Sequence, residues 1–316
     1  MAQLARRSQA GAAIVGVLLT VLAIGCGDNH SPTAPTPPTA ATVPPDTPPP
    51  PPPSPVPDAV LVGAGDIAMC GAPEVAATAS LLDTIPGTVF TAGDNAYPNG
   101  SLQDYMSCYE PTWGRHKQRT RPAPGNHEYN TPNAAGYFQY FGGAAGPHGL
   151  GYYSFREGAW LIASLNSNVP AGPGSPQAEW LKMTLAQDPA PCTVAIWHHP
   201  LFTSGPNGNN PSTRELWRIL HQAGAEVVIA GHDHIYERFA PQDADGRPDP
   251  VRGIRGFTVG TGGAHIYDVR TRSANSEAIG RAAGVLKLTL KATSYEWQFI
   301  AVPGAAFNDF GVGDCH

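Results

Sequence analysis

The side chains Asp66, Asp94, Tyr97, Asn126, His127, His198, His199, His232 and His234 offer carboxylate, phenol, amide and imidazole donors, and no thiolate. Such a set suits hard and borderline ions such as iron, manganese or zinc, not the thiolate-rich zinc sites that only hold a fold together. Each residue alone has a plainer reading, since a Gly-Asp after a strand makes a turn and a lone His satisfies its own hydrogen bonds. What sets this group apart is repetition. The residues come in five blocks, four of them closing an apolar run.

Those runs read as the elements that must carry them. Ala59–Ala64 is a short buried strand ending at Gly65-Asp66, and Thr88–Ala92 is a second ending at Gly93-Asp94. Arg121-Pro-Ala-Pro124 leads into Gly125-Asn126-His127-Glu128 as an irregular approach. Trp160–Leu165 is strand-like, Thr193–Trp197 is a strand running into His198-His199, and Glu226–Ala230 ends at Gly231-His232-Asp233-His234. Glu74–Leu82, Pro176–Gln187 and Pro211–Ala223 have helical spacing, with Trp180, Leu181 and Leu185 on one face of the second. The segments Phe257–Val259, Val285–Leu290 and Tyr295–Ala301 are expected to be antiparallel strands. Strand–helix alternation with polar residues at the carboxyl ends of strands is an α/β arrangement that places a site along one sheet edge.

The blocks Gly65-Asp66, Gly93-Asp94-Asn95-Ala96-Tyr97, Gly125-Asn126-His127-Glu128, His198 and Gly231-His232-Asp233-His234-Ile235-Tyr236-Glu237-Arg238 resemble the five motifs of the calcineurin-like metallophosphoesterases. The tyrosine three residues after Asp94 and the Tyr-Glu-Arg tail resemble the purple acid phosphatase branch, in its small bacterial form. The resemblance implies an α/β/β/α sandwich, two mixed β-sheets flanked by helices, in a single catalytic domain. It implies that Asp66, Tyr97 and His234 hold one metal ion, Asn126, His198 and His232 a second, and that Asp94 bridges them. A carboxylate has two oxygens and can bridge ions about 3.5 to 4 Å apart, the spacing of two-metal phosphoester sites. A phenolate is a hard anion, so Fe(III) is expected at the Tyr97 position with a divalent ion (Fe, Zn or Mn) beside it.

The expected reaction is hydrolysis of a small phosphate monoester by a metal-bound hydroxide, with His127 protonating the leaving alcohol. Asn126, His127, His199 and Asn207 are the expected substrate contacts. Where many relatives carry a further pocket histidine, this chain has Thr203-Ser204-Gly205-Pro206-Asn207, and Asn207 can donate a hydrogen bond but not act as an acid. His199 is a substitute or a supporting residue. A phosphodiesterase or nucleotide pyrophosphatase would use the same centre, and a non-catalytic surface-binding lipoprotein on this scaffold is the reading from another class.

The remaining composition concerns the ends of the chain. Residues 1–26 have a short positive start at Arg6-Arg7 and an apolar run ending Ala23-Ile24-Gly25-Cys26, which resembles the lipobox of bacterial lipoproteins and makes Cys26 the expected lipidation site. Residues 27–57 form a proline-rich spacer, and 58–316 the catalytic domain. The expected location is the cell envelope, periplasmic or extracellular, with membrane contact only through the lipid. The net charge of −6 argues against nucleic acid as a partner. No apolar stretch is long enough for a multi-span membrane protein. Cys70 and Cys108 fall in loops at the metal-bearing edge, Cys192 precedes a strand, and Cys315 lies in a tail without another visible anchor. The expected pairs are Cys70–Cys108 and Cys192–Cys315.

Overall fold

The computed structural model describes residues 57–316, so the expected signal segment, Cys26 and nearly all of the spacer lie outside the described residues. Thirteen strands follow in chain order: β1 Ala59–Ala64, β2 Thr88–Ala92, β3 Thr120–Ala123, β4 Tyr153–Glu157, β5 Trp160–Ser164, β6 Cys192–Ile196, β7 Val227–Ala230, β8 Tyr236–Phe239, β9 Arg255–Val259, β10 Ser276–Gly280, β11 Gly284–Leu290, β12 Ser294–Ala301 and β13 Asn308–Asp314. They form two mixed sheets, ordered β13-β12-β11-β1-β2-β3 and β10-β8-β9-β7-β6-β5-β4. The parallel runs β1-β2-β3 and β5-β6-β7-β9 give each sheet several carboxyl ends on one side.

The two sheets face each other across one apolar layer. Leu61, Phe90, Leu286, Leu288, Trp297 and Phe299 from the first sheet meet Trp160, Ile162, Val194, Ile229, Phe257 and Val259 from the second. Each such side chain contributes about 1.5 to 3 kcal/mol by leaving water. The outer face of the second sheet is covered by the helices Pro176–Gln187 and Arg214–Gln222, through Ala178, Leu181, Leu216, Trp217 and Leu220 against Ala195, Trp197 and Val228. The first of these helices starts where the sequence says it should. Pro176 occupies its first position, and the Ser175 hydroxyl accepts the Ala178 N–H at 3.2 Å. Helix Pro73–Asp83 puts Val75, Ala79 and Leu82 into the main core, which completes the α/β/β/α sandwich.

Three local expectations change. Phe257–Val259 lies in β9, which is parallel to β7 and antiparallel only to β8, because the crossover from β7 returns the chain through β8 first. Thr120–Ala123 is a strand despite Pro122, and it sits at a sheet edge, where a missing N–H costs no ladder bond. The tail has a second anchor. Strand β13 pairs with β12 from Ser294–Asp314 to Ile300–Asn308, besides the Cys192–Cys315 disulfide. The other disulfide joins Cys70 to Cys108.

Candidate metal centre

The carboxyl ends of the two sheets meet. Gly65 N–H donates to Val259 O at 2.8 Å, tying the end of β1 to the end of β9. Asp66, Asp94 and Asn126 follow β1, β2 and β3, while His198 follows β6 and His232 and His234 follow β7. Each sheet therefore supplies part of one cluster. Asp66, Asp94 and His232 all have positive φ, 58°, 49° and 70°, a conformation that is uncommon for residues with a Cβ and that turns each side chain inward immediately after its strand. Close approach requires glycine beside them: a Cβ on Gly125 would lie 2.1 Å from Asp94 Oδ1, and one on Gly93 would lie 2.5 Å from His198 Nδ1.

The side chains form two groups that share one atom. In the first, Tyr97 Oη lies 3.0 Å from Asp66 Oδ1 and 3.3 Å from His234 Nε2, and His234 Nε2 lies 3.3 Å from Asp66 Oδ1. In the second, His198 Nε2 lies 3.0 Å from Asn126 Oδ1 and 3.2 Å from His232 Nδ1. Asp94 Oδ2 touches both, 3.3 Å from Tyr97 Oη and 3.2 Å from His198 Nε2. The donor atoms of Asp66, Asp94 and His198 fall within 4.8 Å of one another, as do those of His198, His199 and His232.

The donor chemistry fits cations at this place. His198 Nδ1 lies 2.8 Å from the Ala92 carbonyl and His234 Nδ1 2.8 Å from the His265 carbonyl. A carbonyl only accepts, so Nδ1 carries the hydrogen in each ring. In the neutral rings the Nε2 lone pairs then face acceptor oxygens, Asn126 Oδ1 and Asp94 Oδ2 for His198 and Asp66 Oδ1 for His234, crowding acceptors where a cation would sit. Asp66 and Asp94 are buried, and among the described residues only histidines form ion pairs with them. Buried carboxylates need positive charge nearby.

In the absence of metal, protons supply it. Burial opposes the charge on His198, yet Asp94, with help from Asp66, pushes its pKa up to about 9, and Asp66 likewise raises His234 against burial. Asp94 is held well below the usual carboxylate range, because His198 and His127 outweigh its burial. Burial and the Asp66 and Asp94 charges push the Tyr97 phenol far above its usual value, so a cation is required to ionise it.

The expected substrate contacts divide. His127 is partly exposed, its ring stands 4.4 Å from that of Tyr97, and its Nδ1 lies 2.6 Å from the Pro98 carbonyl, which leaves Nε2 turned to the site 3.8 Å from Asp94 Oδ2. His199 contacts Ser167 Oγ through Nδ1 at 2.8 Å; burial, then His198 and His232, push its pKa down to about 3, and a ring held neutral is a poor acid. Asn207 donates from Nδ2 to the His232 carbonyl at 2.7 Å, so its amide braces the turn that carries His232.

Three acids that the motifs displayed without a role prove to build the site. The buried Glu128 accepts backbone N–H groups from Asp94, Asn95, Ala96 and Gly125 at 3.0, 2.8, 3.3 and 2.7 Å, and the Tyr105 hydroxyl at 3.1 Å. It clamps the Asp94 loop to the Asn126 loop. Asp233 accepts Asn207 N–H at 3.0 Å, and Glu237 accepts Ser204 N–H at 2.7 Å, so the 203–207 loop hangs from the His232–Arg238 segment. Only the acidic type was visible in sequence; its burial was not.

A centre of carboxylates, imidazoles, an amide and a phenol at the meeting edge of two mixed sheets defines a metallophosphoesterase type of fold and site. A family model described as calcineurin-like phosphoesterase matches residues 24–236, and the chain belongs to that family, in its purple acid phosphatase-like branch. Purple acid phosphatase 15 of Arabidopsis thaliana is 27% identical over 195 residues, covering 50% of this chain and 37% of its own length. Purple acid phosphatase 23 of the same plant is 30% identical over 197 residues, with 50% and 43% covered. The chain thus spans less than half the length of these curated relatives. The structure of purple acid phosphatase PPD1 from yellow lupin seeds superposes with a TM-score of 0.70 at 17% identity, covering 82% of this chain and 54% of that one, a likeness of fold.

Proposed function

We propose that the protein is an exported phosphoesterase that hydrolyses small phosphate monoesters at a two-metal centre. The observation that carries this reading is the shared oxygen: Asp94 Oδ2 touches both donor groups. Asp66, Tyr97 and His234 would hold one ion, Fe(III) by the hardness of the phenolate, and Asn126, His198 and His232 a divalent Fe, Zn or Mn ion, with Asp94 common to both. Bound there, the ions would supply Lewis-acid stabilisation of the phosphoryl oxygens and lower the pKa of water toward neutrality. The residues do the rest. Burial of Asp66 and Asp94 keeps competing water away and fixes the carboxylates before substrate arrives. His127, with Nδ1 committed to Pro98 O, can carry a second proton on Nε2 and deliver it to the leaving oxygen. Two disulfides suit the oxidising compartment that export implies.

Metal analysis together with turnover of an aryl monoester and an aryl diester tests this. Asp94→Asn is expected to lose metal, and activity by about 10³-fold or more; two ions retained at full occupancy in that variant would overturn the assignment. His127→Ala is expected to keep its metal and lose about 10² in rate on esters with poor leaving groups, and much less on esters with acidic ones. An equal loss across leaving groups removes the acid role, and faster turnover of the diester shifts the reading to a phosphodiesterase.

A further inference from the structure

One wall of the centre belongs to a segment that no motif marks, residues 265–273. Its first end is fixed to a candidate ligand. Tyr267 N–H donates to the His234 carbonyl at 2.9 Å, and the Tyr267 ring stacks on that of His234, centroids 4.0 Å apart and planes 12° apart. Its other end is fixed to the 203–207 loop: Ser273 N–H donates to Ser204 Oγ at 2.7 Å, and Ser273 Oγ to Thr203 O at 2.6 Å. Between these anchors the chain arches beside a cavity of about 600 Å³ lined by Thr203–Pro206 on one side and by Tyr267, Asp268, Arg270, Thr271, Arg272 and Ser273 on the other. Tyr267 is shared: it lines the cavity and packs on the centre.

The charge of this cavity runs against that of the chain. Asp268, its one lining acid, is paired with Arg281, which does not line it. Arg270 and Arg272 are both exposed and both line it. Arg272 Nη1 reaches only the Ser276 carbonyl, at 3.4 Å, and among the described residues neither arginine has a carboxylate partner. In a chain of net charge −6, two uncompensated guanidinium groups in one concavity next to a phosphate-type centre make a local anion trap. Guanidinium groups grip phosphate or carboxylate oxygens in pairs, which a point charge cannot do.

We propose that this cavity is a second anion subsite, and that the substrates are small phosphoesters carrying a further phosphate or carboxylate held by Arg270 and Arg272. The inference rests on the phosphoesterase reading and adds a substrate class to it. The test compares wild type with the double variant Arg270→Gln/Arg272→Gln in two assays. In turnover, the ratio of KM for a sugar bisphosphate to KM for phenyl phosphate is expected to rise about tenfold in the variant. In calorimetry, alkane bisphosphonates of increasing chain length are expected to bind wild type more tightly than methylphosphonate does, and the variant is expected to lose about tenfold of that advantage at the best length. Both exposed positions tolerate the change, and Arg270→Gln alone should show a smaller effect in the same direction. If the two KM values move together, or if neither ratio moves, the subsite is overturned. If neither ester is turned over but bisphosphonate binding still depends on the arginines, the hydrolytic reading fails and the subsite stands.

Discussion

A buried glutamate and a disulfide sit together at the carboxyl ends of β1, β2 and β3, and another such pair at the amino ends of β6 and β7, and the two places use them differently. At the carboxyl ends, Glu128 accepts four backbone N–H groups and a hydroxyl, and Cys70–Cys108 joins the loops after β1 and β2. At the amino ends, Glu226 accepts Thr193 N–H at 2.6 Å and His316 N–H at 3.3 Å beside Cys192–Cys315. Burial pushes both carboxyls up to about 7; at Glu128 the Asp94 charge adds to it. The same devices shape a reaction site in one place and pin a tail in the other. Electrostatic perturbation alone does not identify a functional acid; its partners do.

The largest expected effect separates the two disulfides. In the chain-entropy picture, closing 123 residues between Cys192 and Cys315 is worth about 5 kcal/mol, and closing 38 between Cys70 and Cys108 about 4 kcal/mol. Replacing Cys192 and Cys315 by Ser should therefore cost more stability in denaturant titration while leaving KM for an aryl monoester unchanged. Replacing Cys70 and Cys108 should cost less stability and yet raise KM or lower metal content. If the far-edge pair alters KM as much as the near-edge pair, the division between the two ends is wrong.

Glu128→Gln sharpens the contrast at the next level. Each Glu128 oxygen accepts at least two donors, so whichever way the amide turns, its NH₂ faces backbone N–H groups. The expected cost is about 2 to 4 kcal/mol, with a 10- to 100-fold loss of metal affinity because the Asp94 and Asn126 loops lose their clamp. Unchanged metal binding at reduced stability would make Glu128 structural only.

How much of this was legible follows from where each residue points. Strands β1, β2, β6 and β7 were readable because they are largely buried and end in Gly-Asp or a His pair, so apolar run and polar terminus coincide; β5 was readable from its buried apolar run alone. Strand β13 was not, because its pattern is inverted. Phe310 and Val312 face solvent, while Gly311 and Gly313 face inward, where a Cβ would lie 2.3 Å from the Trp297 ring and 2.4 Å from that of Tyr295. In the site, donor types were visible at each strand end, but the left-handed backbone at Asp66, Asp94 and His232 and the Arg270–Arg272 cavity depend on contacts between distant segments. Residue type and spacing carry no record of such contacts.

The smallest expected effect concerns pH and the amino-end glutamate. Burial raises the folded-state pKa of Glu226 to about 7, above its ordinary 4.5, so the folded protein holds this proton more tightly than the unfolded chain does. Its contribution to stability is then fully present below pH 4.5 and is lost as pH rises through 7. Glu226→Gln keeps a neutral side chain at every pH and retains an acceptor for Thr193 N–H, the shorter of the two contacts. The variant should match wild type within about 1 kcal/mol at pH 5 and exceed it by about 1 to 2 kcal/mol at pH 8, after allowance for the partner lost at His316. Chemical denaturation at the two pH values measures this directly, with aryl monoester turnover expected to be unaffected. A variant less stable than wild type at pH 8 would mean that the ionised carboxylate, held by its two N–H donors, is the better tail anchor, and that Glu226 works by hydrogen bonding against its burial as Glu128 does.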